Sequence, residues 1–342
     1  MRTFVVAEIG VNHGGNLDLA LRLVEAAAKA GAHAAKFQTF NADALATRNT
    51  ATVTYQKTSG AEDQHSMLRQ LELSEAEHRA LAKHCAELGL EFMSTAFDSR
   101  SLDMLCDIGI GRMKVPSGEV TNIPYLRDCA RRGLPILLST GMADLAEVRR
   151  AVEVLRDAMP RAVQADADAP PLTVLHCTSA YPAEFADANL RAMQTMAREF
   201  DIPVGYSDHT PGIFVPPVAV AMGATVIEKH LTLDRTMRGP DHAASIEPHE
   251  FEAMVRAIGD VELLLGDGVK KPRAAEQEAR ALVRRGLKAA RDLPAGTRLT
   301  EADIVLLRPA TGLAPELLSS VPGRRLNRPL AAGDPIEQSA IE

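Results

Sequence analysis

A basic surplus, paired cysteines and long apolar runs are all missing from this chain, and each absence removes a class of function. Lysine and arginine number 38 against 45 aspartates and glutamates, a formal net charge of −7 with both signs scattered. A nucleic-acid-binding surface usually carries the opposite balance. The four cysteines (Cys85, Cys106, Cys129 and Cys177) stand far apart, with no C-x-x-C pair. Three fall in helix-like stretches, which fits small buried thiols in a reducing compartment rather than a disulfide or zinc framework. No apolar run is long enough to cross a membrane, and the first residues run straight into a strand pattern without signal-peptide character. The expectation is a cytoplasmic protein with neither nucleic-acid nor membrane partners.

What is present is a rhythm. Hydrophobic residues make up 46% of the 342 positions, enough for one large domain and a small one. Down to residue 266, short apolar runs alternate with amphipathic stretches. The strands are expected at Phe4–Glu8, Ala34–Gln38, Glu91–Ser94, Arg112–Val115, Pro135–Ser139, Leu172–His176, Pro203–Ser207 and Thr225–His230. Helical patterns such as Leu17–Ala30, Glu75–Leu88, Leu145–Ala158 and Asn189–Glu199 lie between them. A helix after each strand implies right-handed crossovers and a parallel sheet. Eight such units in roughly 250 residues match a (β/α)8 TIM barrel. An open doubly wound sheet would be expected to carry a Gly-rich phosphate turn. The stretch from Glu8 to Gly15 is glycine-rich but lacks G-x-G-x-x-G spacing.

Two segments interrupt the rhythm: a long polar insertion, Thr39–Leu73, read as a functional or mobile loop, and Pro160–Pro171, read as a solvated surface loop. The expected division is a barrel over 1–266, a charged, helix-prone linker over 267–282, and a small turn-rich domain over 283–342. That tail holds a weak internal repeat, in which the decapeptide from Ala295 lines up with the one from Ala332.

Polar side chains cluster at all eight strand ends: Glu8; Lys36 and Gln38; Ser94 and Thr95; Lys114, Ser117 and Glu119; Ser139 and Thr140; His176 and Thr178; Ser207, Asp208 and His209; Glu228 and His230. In a barrel these ends converge on the catalytic rim. His209 and His230 end neighbouring strands about 4.8 Å apart, so both imidazoles can reach one ion at roughly 2.1 Å. With no thiolate nearby, a divalent Mn²⁺- or Mg²⁺-like ion fits better than structural zinc. Lys36 and Lys114, with Thr95, Ser117 and Ser139, suit a phosphate and a carboxylate; one lysine could instead form a Schiff base. Glu8 reads equally as an acid or base and as a structural partner of Lys36. The rigid Arg238-Gly239-Pro240-Asp241-His242 turn either aims Asp241 at the mouth or is a plain surface turn. The other histidines, His13 among them, read as structural.

At these positions the chain resembles the sialic acid synthase family, bacterial N-acetylneuraminate and legionaminate synthases included. The motifs are AEIGVNHGG from Ala7, KFQTF from Lys36, FMSTAFD from Phe92, KVPSGE from Lys114, LSTGM from Leu138, LHCTSAYP from Leu175, GYSDHT from Gly205, IEKHLTLD from Ile227 and RGPDHAAS from Arg238. The tail resembles that family's antifreeze-like (SAF) domain. The resemblance implies a TIM barrel with a SAF domain in a domain-swapped homodimer, and a divalent metal, Mn²⁺ before Mg²⁺ or Co²⁺, held by His209 and His230. It implies phosphoenolpyruvate against Lys36, Thr95, Lys114, Ser117, Ser139 and Ser207. The acceptor sugar would meet Gln38, Glu119, Tyr181 and Asp241, and Arg308 would reach the partner subunit's sugar site. Two departures stand out: Ala310-Thr311-Gly312 replaces the family's Gly-Asn-Gly, and Thr178-Ser179-Ala180 replaces Asn-Thr-Glu.

The reaction so implied joins carbon three of phosphoenolpyruvate to the aldehyde of an open-chain N-acylated amino sugar. Water adds at carbon two, and carbon–oxygen cleavage releases phosphate. Glu8, Lys36 and Lys114 are the expected catalytic residues. N-acetylneuraminate synthesis is the first expectation for the product, and N,N'-diacetyllegionaminate synthesis from a 2,4-diacetamido-trideoxy hexose is the alternative. A class I aldolase and a non-catalytic sugar-binding protein are more distant alternatives.

Overall fold

The computed structural model of the chain describes residues 3–47, 63–164 and 170–342. Eight parallel strands close into a barrel in sequence order: β1 (Phe4–Gly10), β2 (Ala34–Thr39), β3 (Glu91–Ala96), β4 (Met113–Val115), β5 (Ile136–Ser139), β6 (Leu172–Cys177), β7 (Val204–Asp208) and β8 (Val226–His230). Helices fill the connections: α1 (Leu17–Lys29) follows β1, and α2 (Ala42–Leu45), α3 (Gln64–Leu71) and α4 (Glu75–Glu87) follow β2. Then come α5 (Ser99–Ile108), α6 (Ile123–Arg131), α7 (Leu145–Ala158), α8 (Arg161–Gln164), α9 (Arg191–Phe200), α10 (Val215–Ala221) and α11 (Pro248–Leu265). Their starts are written locally. Asn16, Asp98 and Asn122 cap backbone N–H groups, while Ser74 with Glu77 and Asp144 with Glu147 form capping boxes, which satisfies donors that each helix start leaves free.

Strand parity sorts the side chains, because successive residues of a strand face opposite ways. Facing outward, Val5, Ala7, Ala35, Phe37, Val174, Tyr206 and Ile227 join the buried layer under the helices. Facing inward, Val6, Ala34, Met93, Leu137, Leu175 and Val226 plug the lower barrel as a separate apolar cluster. The next inward row up is polar. There Glu8 lies in register with Lys36 on one side and His230 on the other, Thr95 with Lys114, and Ser207 with Glu228. The apolar layer thus supports a desolvated polar floor.

The insertion after β2 is structured where it is described. Asn41 caps α2, Asp63 caps α3, and Asp43 bonds both His65 (2.8 Å) and Arg69 (3.1 Å). Phe40, Ala42, Met67, Leu68 and Leu71 form an apolar cluster with Val11, so the reading of Thr39–Leu73 as a polar loop is corrected. Apolar residues at Met67, Leu68 and Leu71 recur at helical spacing; residues 48–62 lie outside the described set. The Pro160–Pro171 stretch likewise contains a short helix, α8, with 165–169 outside the described residues.

Backbone contacts divide the chain into Met1–Gly266 and Asp267–Glu342. The second unit holds α12 (Gln277–Val283), β9 (Gly286–Ala289) and β10 (Ile304–Leu307), around its own core of Leu287, Leu293, Leu299, Leu326, Leu330 and Ile336. The repeat seen in the sequence is a backbone pseudo-twofold. Leu293 and Leu330, equivalent by the 37-residue offset, exchange N–H···O bonds with each other at 2.7 and 2.9 Å. The bond from Gly333 N to Ala289 O is matched by one from Gly296 N to Leu326 O.

Candidate active site

The mouth of the barrel opens into a cavity of about 430 Å³ whose lining includes Glu8, Lys36, Gln38, Thr95, Lys114, Ser117, Ser139, Tyr181, Ser207, Glu228, His209 and His230. Four buried charges form its floor. Lys36 Nζ lies 2.5 Å from Glu8 Oε2 and 3.6 Å from Glu228 Oε2, and Lys114 Nζ lies 3.0 Å from Glu228 Oε1. Lys36 also donates to Thr95 Oγ1 at 3.1 Å, Ser207 Oγ to Glu228 at 2.9 Å, and Gln38 Nε2 to Glu8 Oε1 at 3.2 Å. Ser139 Oγ is buried without a hydrogen-bond partner among the described residues. A hydroxyl left that way at the base of a cavity is a site for a ligand oxygen.

The two carboxylates are pushed in opposite directions. Burial raises Glu8 above the ordinary carboxyl range, helped by the charge of Glu228 and only partly offset by Lys36. Burial acts on Glu228 too, but there Lys114 and Lys36 together outweigh it and hold the group well below that range. For Lys36 burial is again outweighed, by Glu228 and Glu8, which keep its ammonium charged. Carboxylates separated in this way divide their labour: the one held high can carry a proton, the one held low is a fixed negative charge.

Above the floor stand the histidines, with ring centroids 5.5 Å apart. Tyr181 packs on both, at 4.2 Å from His209 and edge-on at 5.7 Å from His230. Burial depresses the proton affinity of each, and His209 lowers that of His230 further. Neutral imidazoles are what a metal requires. The Nδ1 of His209 lies 2.7 Å from the Thr178 carbonyl, which fixes the proton there and leaves the lone pair on Nε2. His230 Nδ1 is buried without a hydrogen-bond partner among the described residues, with Asp241 Oδ2 at 3.7 Å. The donor set therefore fits a two-nitrogen ion site. Among the described residues no group of three or more His, Cys, Asp or Glu is placed to hold a metal.

Other expected residues are placed differently. Asp241 is buried beside His230, not in a plain surface turn, and burial with the nearby Glu8 lifts it to about 7. Glu119 is half-buried, accepts from Asn122 at 2.6 Å, and does not line the cavity. Arg308 is exposed and belongs to the second unit. Several strand-end groups read as facing the rim point outward instead. Ser94 bonds Thr39 (2.7 Å), Thr140 bonds the Leu175 carbonyl (3.0 Å), and His176 bonds the Ala188 carbonyl (2.9 Å). Asp208 pairs at 2.6 Å with Lys229, which is fully buried. Parity explains the correction, since each stands one residue from an inward-facing neighbour. The same rule could have found Glu228, two residues before His230, as a floor residue. The cavity also takes in Cys177 and Ser179, and an apolar side made by Phe40, Leu45, Leu68 and Phe97, to which the sequence reading gave no role.

Gly141, after β5, lets the floor close. A Cβ there would lie 3.0 Å from both Ser117 Oγ and Cys177 Sγ and closer still to Ser179 Oγ, and its N–H donates to Ser117 Oγ at 2.9 Å.

The comparisons with known proteins agree with this architecture. The model of the NeuB family matches residues 23–270, and that of the SAF domain matches 284–342. An N,N'-diacetyllegionaminic acid synthase of Legionella pneumophila is 49% identical over 344 residues, covering 100% of this chain and 95% of the relative. Another, from Campylobacter jejuni, is 42% identical, covering 92% of each. Among solved structures, the N-acetylneuraminic acid (sialic acid) synthetase of Leptospira borgpetersenii, in complex with citrate, superposes with a TM-score of 0.72 at 36% identity. That match covers 82% of this chain and 90% of the other.

Proposed function

The chain belongs to the NeuB family, and from that premise we propose that it condenses phosphoenolpyruvate with a 2,4-diacetamido-trideoxy hexose and water, giving phosphate and a diacetyllegionaminate-type acid. The observation that carries the reaction type is the buried Glu8–Lys36–Glu228–Lys114 cluster beneath two neutral histidines. The acceptor rests on similarity: the relatives named for diacetyllegionaminic acid are 49% and 42% identical, against 36% for the sialic acid synthetase. N-acetylneuraminate synthesis, the first expectation from the sequence and one that takes N-acetylmannosamine as acceptor, is therefore set behind the alternative.

In this reading Lys36 and Lys114 neutralise the carboxylate and phosphate of the donor, while Thr95, Ser117, Ser139 and Ser207 offer hydroxyls to its oxygens. Holding Lys36 as a charged ammonium argues against a Schiff base, which needs a free amine. A divalent ion such as Mn²⁺, held by His209 and His230, supplies Lewis-acid polarisation of the sugar aldehyde when bound. Gln38, Tyr181 and Asp241 orient the acceptor. Carbon three of the donor bonds to the aldehyde carbon, water adds at carbon two, and the carbon–oxygen bond to phosphate breaks. Glu8, the carboxyl held high, manages the proton near carbon two, while Glu228 keeps both lysines in place. Arg308 would complete the partner's site in a homodimer. Among the described residues no helix is long and apolar enough to cross a membrane.

The test is phosphate release from phosphoenolpyruvate with Mn²⁺ and each candidate sugar. The diacetamido sugar should give the higher kcat/KM, EDTA should abolish turnover, and bridging ¹⁸O should leave with phosphate. Retention of that label in the sugar acid would mean phosphorus–oxygen cleavage and a different reaction.

A further inference from the structure

The cavity has two chemical characters. Its floor is charged and hydroxylated, but the side formed by the β2–α4 insertion and the end of β3 is largely apolar: Phe40, Leu45, Leu68 and Phe97 line it, with Gln64, one turn before Leu68 on α3, as its polar member among the described residues. These side chains are held in place. Phe40 and Phe97 meet edge to face at 6.0 Å, and Leu45 and Phe97 pack on the cluster containing Phe40 and Leu68. Beneath them Ala42 N–H donates to Glu72 at 2.6 Å, and Asp43 ties α2 to α3 through His65 and Arg69. An ordered apolar wall in a polar pocket recognises the apolar part of a ligand.

The position of the wall identifies that part. The acceptor's aldehyde must lie by the floor, where the donor and the histidines are, so the far end of its carbon chain points to the mouth. In N-acetylmannosamine that end carries a hydroxymethyl group; in a 2,4-diacetamido-2,4,6-trideoxy hexose it is a methyl. A hydroxyl pressed on these four side chains gains no hydrogen bond from them, whereas a methyl is desolvated favourably. We propose that Phe40, Leu45, Leu68 and Phe97 form the subsite for carbon six, and that this wall selects a 6-deoxy amino sugar over its 6-hydroxylated counterpart. The inference rests on the acceptor reading above and assigns the residues that enforce it.

The test uses the full chain with Mn²⁺ and saturating phosphoenolpyruvate. Rates of phosphate release are compared for three sugars: the diacetamido-trideoxy hexose, N-acetylmannosamine, and 2-acetamido-2,6-dideoxymannose, which differs from N-acetylmannosamine only at carbon six. Wild type should favour the 6-deoxy sugar of that last pair by about 10- to 100-fold in kcat/KM, the range a hydrophobic pocket achieves. Leu45→Asn and Leu68→Asn should each cut that ratio several-fold, with the phosphoenolpyruvate KM unchanged, and Leu45→Met should keep it. Leu68 is buried and Leu45 only half-buried, so the Leu45 variants carry the test if Leu68→Asn does not fold. Equal use of the carbon-six pair by wild type overturns the subsite, as does an unchanged ratio in Leu45→Asn, since a folding defect lowers all sugars alike. Better turnover of N-acetylmannosamine than of the diacetamido sugar, or turnover of neither, overturns the acceptor reading instead.

Discussion

Gly141 and the paired glutamates show how little tolerance the floor has. Gly141→Ala would press a methyl on Ser117, Cys177 and Ser179, displacing the Ser117 hydroxyl proposed to face the donor. We expect a phosphoenolpyruvate KM raised by about 10-fold or more with unchanged circular dichroism; wild-type KM would show that the floor yields. The glutamates should separate kinetically. Glu8→Gln removes a proton carrier and should lower kcat by about 100-fold or more, leaving the donor KM near wild type. Glu228→Gln leaves the Lys36 and Lys114 ammoniums without their shared counter-charge and should alter the donor KM before kcat. Steady-state kinetics on both variants decides it, and identical profiles would refute the division. The sequence could announce Glu8, Lys36, Lys114 and the histidines because the strand ends of a parallel barrel converge on one mouth. It could not announce that Glu228 joins both lysines, because that contact spans β4 to β8 and depends on barrel closure.

Strand parity is the element-scale rule that divides site from scaffold. Asp208 and Lys229 flank the histidines in sequence yet face away from the cavity, and together they brace the ends of β7 and β8: Lys229 bonds Asp208 and the Thr210 carbonyl, while Asp208 also accepts from Thr210 N and Oγ1 at 3.0 and 2.8 Å. Removing one partner of a buried pair strands the other charge, so Asp208→Asn should cost about 3–5 kcal/mol in urea unfolding; a loss below about 1 kcal/mol would mean that the brace is dispensable. The loop between β1 and α1 makes stability depend on pH. Burial holds the buried His13 down at about 4, with His78 adding to the effect. The unfolded chain takes the proton first, at about pH 6.5, so this contribution is complete above that pH and is lost as pH falls toward 4. It amounts to about 3 kcal/mol. Urea midpoints measured at pH 7 and pH 5 should differ less in His13→Asn, whose amide oxygen can still accept from Gly15, than in wild type, the other buried histidines keeping the rest of the difference; an unchanged difference would refute the role of His13. The strands and most helices were legible because their periodicities run unbroken. Facing was not: polar residues at consecutive positions, such as Ser94 and Thr95 or Ser207 and Asp208, carry no parity mark of their own, and only the apolar residues upstream of them supply it.

At the scale of the molecule, two units with separate cores carry one proposed reaction. If Arg308 serves a partner's barrel, Arg308→Ala should raise the sugar KM far more than the donor KM. Mixing it with Glu8→Ala subunits should then restore activity through hybrid dimers; two variants that stay inactive after verified subunit exchange would place the arginine's work elsewhere. The floor has a consequence for how the donor arrives. Two lysines face two glutamates at close range, and the chain as a whole carries −7. In the metal-free chain these paired charges cancel beyond a few ångströms, so the mouth projects little field into solution, and the surplus outside has the donor's own sign; a bound divalent ion would add the only net positive charge there. Electrostatic steering raises encounter rates only where a long-range potential exists, and salt weakens it. Capture of phosphoenolpyruvate by the metal-free protein should therefore be slow for so charged a molecule and nearly indifferent to ionic strength, and faster and more salt-sensitive once the ion is bound. Recognition would begin only at contact, when the lysines exchange carboxylate partners for phosphate.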